Sequence, residues 1–240
     1  LETLWANPSS VHRFGQQVRQ RIELARQSIA SLIGARPRDL VFTSGGTESN
    51  NLAIRGTLDV PQPAADAPPP LLVTSRVEHS AVREPAEAHL ERGGAVAWLR
   101  PSLDGLVDPA EVAAVLAEHA RGQRVILVSV QWANNETGTI QPVQRIAQVV
   151  AEARQAAQRA GDRPRVLFHA DAAQAVGKLP VDVAALPVDL LSFAAHKFHG
   201  PKGVGGLFVR GGARLRPQQR GGPQERDKRG GTENVPGIIG

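Results

Sequence analysis

Between Val188 and Ala195 the chain is apolar except at Asp189 and Ser192, and it then empties into His196-Lys197 and a loop punctuated by Gly200-Pro201 and Gly203. A run of that length with those flanks predicts a mostly buried strand. Similar runs recur at 41–43, 71–74, 95–99, 124–130, 166–170 and 206–209, most of them separated by helical stretches. Apolar strands alternating with helices belong in a mainly parallel sheet covered on both faces. The expected fold class is therefore α/β, with three α/β/α layers.

In such sheets ligands bind where strands end, and Lys197 stands at such an end. Partly desolvated beside the His196 imidazole, its ammonium would be disfavoured and its amine made available for Schiff-base chemistry. A surface lysine in a turn has the same local sequence. Lys202 is the rival, but it lies inside the turn Gly200-Pro201-Lys202-Gly203, with no packed strand to fix it.

Other strand ends carry chemistry too. Asn7-Pro8-Ser9-Ser10 reads as a turn and cap for a helix from Val11 to Leu32, closed by Gly34. After the strand at 41–43, Ser44-Gly45-Gly46-Thr47-Glu48-Ser49-Asn50 turns into a helix ending near Gly56. That arrangement offers free N–H groups, a positive dipole end and the Thr47 and Ser49 hydroxyls to an anion; an ordinary connection capped by Thr47 reads the same way. Asp59 to Pro70 is a Pro- and Ala-rich exposed loop. Glu78-His79-Ser80 opens a helix towards Arg92, placing His79 either to stack on a planar ligand and move protons or merely to cap.

Further helices are expected from Pro109 to Ala120 and from Pro142 to Ala160. Asn134-Asn135 lie in a polar loop at a strand end, able to orient a ligand oxygen or to satisfy their own turn. The strand Val166 to Ala170 delivers Asp171, a helix cap or, near a ring nitrogen, the group that keeps it protonated. The glycine- and charge-rich stretch Arg220 to Asn234 reads as disorder or a solvated turn.

Composition excludes several classes. No cysteine is present, so these residues hold no disulfide, thiolate metal site or thiol nucleophile, and no metal site is expected. No apolar run approaches a membrane span and no signal peptide is recognisable, which predicts a cytoplasmic protein without a membrane partner. The net charge of +5 raises nucleic acid as a partner. The basic residues, however, are spread along helices and turns without aromatic interleaving, so none is expected. One domain spanning 1–240 is expected. Leu1 is not a methionine and Val235 to Ile239 begins a new apolar segment, so the chain reads as a fragment lacking sequence at both ends.

On a parallel sheet these features share one edge. A phosphate cradle at 45–49, a stackable His79, a polar Asn135, the acid Asp171, the amide Gln174 and the amine Lys197 together describe a site for pyridoxal phosphate. The segments Asn7 to Ser10, Phe42 to Asn50, Glu78-His79, Ala133 to Gly138, His169 to Gln174, His196 to Gly203 and Arg229 to Asn234 closely resemble the cysteine desulfurase and selenocysteine lyase family. This family belongs to the class V aminotransferase group of fold-type I pyridoxal phosphate enzymes. The resemblance implies that Lys197 carries the cofactor as a Schiff base, that His79 stacks on its ring and shuttles protons, and that Asp171 pairs with the ring nitrogen. It further implies that Asn135 and Gln174 contact the ring oxygen, that Gly46, Thr47 and His196 bind the phosphate, and that Thr232 reaches the neighbouring subunit's phosphate in a homodimer.

Two departures stand out: Ala194 where the family often has a phosphate-binding serine, and Pro223 where a third glycine is usual. The family's catalytic cysteine and substrate-carboxylate arginine are expected in a small domain beyond Gly240, and its first strand before Leu1. The implied reaction takes sulfur from L-cysteine, giving L-alanine and an enzyme persulfide for a sulfur-acceptor protein. L-selenocysteine lyase or aminotransferase chemistry of the same group, and a silent scaffold, are the alternatives.

Overall fold

The computed structural model describes residues 5–59, 68–119, 125–161 and 165–240. Among these residues seven strands form one sheet: β1 (Leu40–Thr43), β2 (Leu71–Ser75), β3 (Ala95–Leu99), β4 (Val125–Gln131), β5 (Arg165–Asp171), β6 (Leu190–Ala194) and β7 (Gly205–Val209). Their order is β1-β7-β6-β5-β4-β2-β3. β7 is antiparallel to β1 and β6, and the remaining pairs are parallel. The reversal of β7 has a simple cause. The link from Ala194 to Gly205 is shorter than the dozen or more residues a parallel crossover requires.

Five longer helices cover the sheet: α1 (Arg13–Leu32), α2 (Gly46–Leu58), α3 (Ser80–Glu91), α4 (Pro109–His119) and α5 (Val143–Arg159). Strand residues alternate between two apolar layers, as the two-residue period of a strand dictates. Leu72, Leu127, Leu167, Leu190 and Leu207 pack with Leu52 and Ile54 of α2 and Val82 of α3. Val73, Ile126, Val128, Phe168 and Leu191 pack with Leu116 of α4 and Ile146 and Val150 of α5 on the opposite face. Both faces being covered explains why the strands read as continuous apolar runs. Among the described residues no helix is long and apolar enough to cross a membrane.

Two sequence expectations are corrected. The first helix begins at Arg13, because Asn7 Oδ1 closes its own turn on Ser9 N (2.9 Å) while His12 Nδ1 accepts from Gly15 N (3.2 Å) as the actual cap. The stretch 220–234 is neither disordered nor merely solvated. Glu225 is buried and ion-paired with Arg26 (2.7 Å), and Arg229 pairs with Glu48 (2.9 Å). The expected Asp59 to Pro70 loop falls largely outside the described residues.

Candidate active site

β2 lies between β3, which follows it, and β4, which comes next on its other side. Such a change of direction opens a crevice at the C-terminal ends of the strands. The loops over it are tied together. Gln131 Nε2 and Asn134 Nδ2 both donate to Val77 O (2.7 and 3.1 Å), and Gln131 N donates to Glu78 Oε2 (2.7 Å). A cleft of about 240 Å³ lies here, lined by Gly46, Thr47, His79, Asn135, Asp171, Gln174, His196 and Lys197 among others. Every predicted site residue except Thr232 is therefore on one cleft.

One end of the cleft is the start of α2. Gly45 precedes it with φ 154° and ψ −176°, a conformation essentially confined to glycine. The amides of Gly46 and Thr47 sit in the first turn, where N–H groups lack intrahelical acceptors. Glu48, also in this turn, is engaged elsewhere: Ser44 N and Arg229 donate to its carboxylate (2.8 and 2.9 Å). Burial works against its charge, and those bonds more than offset this, holding its pKa below the usual value.

His79 is a cap and also borders the cleft. It caps α3, its Nδ1 accepting from Ala81 N (3.0 Å), and it lines the cleft. With Nδ1 accepting, the proton of the neutral ring is on Nε2. The two asparagines divide their roles. Asn134 Oδ1 accepts from Glu136 N (2.8 Å) and Thr137 N (2.9 Å), building the turn, whereas the exposed Asn135 lines the cleft. Gln174 Oε1 accepts from Lys178 Nζ (2.6 Å) at the rim.

Asp171 ends β5 buried. Asn50 Nδ2 donates to its Oδ2 (2.7 Å) and Ala173 N to its Oδ1 (3.0 Å). Burial raises its pKa, with those two bonds and the His79 charge acting in the opposite direction. Two residues earlier, His169 is sealed between Ser129 Oγ (2.8 Å) and Ser192 Oγ (2.9 Å), and burial pushes its pKa down to about 3. A neutral imidazole thus ties β4, β5 and β6 together beneath the site.

Lys197 sits in a 3-10 turn, Ala195–Phe198, ended by His199 in the left-handed region (φ 71°). The expected desolvation is not supplied by these residues, since Lys197 and His196 are both exposed. β6 ends at Ala194, so Lys197 stands in the turn beyond the buried strand. Thr232 borders a separate hollow with Thr43, Ser44 and Gly203. Lys202 does not line the cleft, and no cluster able to hold a metal occurs among the described residues.

Sequence reasoning gave no role to Asn50, Glu78 or Gln131. Asn50 was within reach, standing three residues after Thr47 on the same helix face. Glu78 and Gln131 acquire meaning only through the β2–β4 pairing.

The aminotransferase class-V family profile matches residues 1–240. A cysteine desulfurase IscS of Dictyoglomus turgidum is 44% identical over 240 residues, covering 100% of this chain and 56% of the relative. A cysteine desulfurase of Cereibacter sphaeroides is 46% identical over 237 residues, covering 98% and 56%. Among solved structures, a NifS-like protein superposes with TM-score 0.86 at 36% identity, over 98% of this chain and 60% of that one. SspA in complex with cysteine superposes with TM-score 0.84 at 35% identity, over 98% and 63%. The chain spans about half the length of the curated relatives it matches. A family profile matched from end to end, on a fold and a cleft of the kind just described, places this chain in the aminotransferase class-V family.

Proposed function

We propose that these residues form the pyridoxal-phosphate-binding part of a cytoplasmic, homodimeric cysteine desulfurase. The observation that carries the reading is the convergence of Lys197, His79 and Asp171 on one cleft with the start of α2. The residues fit the cofactor on grounds of their own chemistry. An anion site, a ring-sized cleft, a carboxyl at its floor and an amine at its mouth are all present. In addition, Asn50 Oδ1 is buried and unpartnered among the described residues, an acceptor awaiting a donor at the cleft floor.

When bound, pyridoxal phosphate supplies an electron sink for charge developing at the α carbon of an amino acid. The chain's residues would do the rest. Gly46, Thr47 and His196 would hold the phosphate, and Asn135 and Gln174 the ring oxygen. The Asp171 carboxylate would accept from the protonated ring nitrogen and keep that charge in place. His79 would lie against the ring with its Nε2 proton available, and Lys197 Nζ would hold the cofactor and then move the α proton. The thiolate that takes the sulfur must come from outside these residues, which contain no cysteine. The relatives' names and the cysteine-bound SspA support L-cysteine as substrate, with Thr232 serving the partner subunit and a sulfur-acceptor protein downstream.

The test is a visible absorption spectrum with pyridoxal phosphate, beside Lys197→Ala. A band lost in the variant, and alanine formed with sulfide from L-cysteine in the presence of an added thiol, would support the reading. A folded protein that develops no band would overturn it.

A further inference from the structure

Among the described residues, Glu78 is the one buried carboxyl beside the site that the mechanism above does not use. It is 4% exposed. Its Oε2 accepts from Gln131 N (2.7 Å), and Gln131 pairs directly with Asp171 across β4 and β5. Its Oε1 lies 2.9 Å from Ser75 Oγ. Both carboxyls are thus buried around Gln131, Asp171 lining the cleft and Glu78 behind it, and no arginine or lysine is bonded to either among the described residues. The charged or titratable groups near them are each other and His79 beside Asp171, with the exposed His196 and Lys197 lining the same cleft as Asp171. Two negative charges in such a place are unfavourable, so the pair retains a proton.

The hydrogen bonds decide which carboxyl holds it. Both Asp171 oxygens face N–H groups, Asn50 Nδ2 and Ala173 N, which donate and do not accept. Glu78 Oε2 also faces an N–H, but its Oε1 faces a hydroxyl, which turns to accept as readily as it donates. We propose that Glu78 is the proton-holding member of a buried carboxyl pair, a positioning residue that leaves Asp171 free to be the ionised acceptor at the cleft floor. The direction of titration agrees: burial, with the Asp171 charge adding to it, outweighs the opposing Ser75 and Gln131 hydrogen bonds and raises Glu78 to about 8 from 4.5.

The pair is a property of the protein's own residues. Only its bearing on a ring nitrogen rests on the reading above, and the test needs no cofactor. At pH 7 ordinary carboxyls are ionised, so infrared spectroscopy in heavy water should show a protonated-carboxyl C=O band. That band should vanish in Glu78→Gln and persist in Asp171→Asn. Its absence from the wild type, or loss in Asp171→Asn with persistence in Glu78→Gln, would overturn the proposal. Stability against pH gives a second reading. Below 4.5 both folded and unfolded states hold the Glu78 proton; above it the unfolded state releases it first, so stability is lost until about pH 8. Glu78→Gln should flatten that decline, and Asp171→Asn should end it at lower pH. An unchanged slope in Glu78→Gln would count against the pair.

Discussion

Arg26 and Glu225, 199 positions apart, form a buried two-bond ion pair, Nη1 to Oε2 at 2.8 Å and Nη2 to Oε1 at 2.7 Å. The same carboxylate accepts from Phe42 N (2.9 Å), and the guanidinium lies 4.5 Å from the Phe42 ring centroid. Helix α1, edge strand β1 and the loop leading to Thr232 therefore meet at one point. Burial opposes the Arg26 charge, but Glu225 and Glu23 more than offset it and its pKa is raised.

Removing one partner leaves the other charged and buried, so Glu225→Ala should cost about 3–5 kcal/mol. Glu225→Ala with Arg26→Met should cost less than Glu225→Ala alone. Urea unfolding of both variants measures this. A loss below about 1 kcal/mol in the single variant would mean the pair contributes no more than a surface bridge.

Gly45 offers a different kind of dependence. A Cβ there would meet nothing within 4 Å, so space is not the reason for glycine; its φ of 154° is. Gly45→Ala should cost about 1–3 kcal/mol through the backbone alone and weaken pyridoxal phosphate binding by disturbing the start of α2. A variant with wild-type unfolding would show that the turn adopts another conformation at no cost.

The sheet was legible because most strands are buried on both faces, which leaves uninterrupted apolar runs such as Val125 to Val128. The strand ends were legible for the same reason, since polar residues cluster where those runs stop. What the linear chain hides is pairing at distance. Asn50 meets Asp171 across 121 positions and Glu78 meets Gln131 across 53, and neither contact has a local spacing to betray it. The charged stretch at 220–234 misled for a related reason: solvation is the default for charge, and the buried alternative for Glu225 comes from the distant Arg26 and Phe42 N.

Asn134 and Asn135 are adjacent and should behave oppositely. Asn134→Ala removes bonds to Glu136 N, Thr137 N and Val77 O, so a loss of about 1–3 kcal/mol in stability is expected. Asn135→Ala should leave unfolding unchanged to within about 0.5 kcal/mol, as exposed substitutions do, while lowering pyridoxal phosphate affinity. Parallel unfolding and cofactor titrations separate the two. Equal stability losses would refute the division of roles.

His169 sets the acid side of the stability profile. Sealed between two serine hydroxyls, it is neutral in the folded protein, with its pKa lowered by burial to about 3 from 6.5. Above pH 6.5 both folded and unfolded states have it neutral and its contribution is fully present. As pH falls below that value the unfolded state gains a proton the folded state refuses, and stability is lost progressively towards pH 3. This slope is opposite in sign to that of Glu78, so the two oppose each other between pH 4.5 and 6.5. Replacing His169 by Gln should lower stability overall by breaking the serine bridge, and should also reduce the acid-side slope. Thermal midpoints at pH 5 and pH 7 for both proteins test the second effect independently of the first. If the difference between the two pH values is the same in His169→Gln as in the wild type, His169 is not the group that titrates.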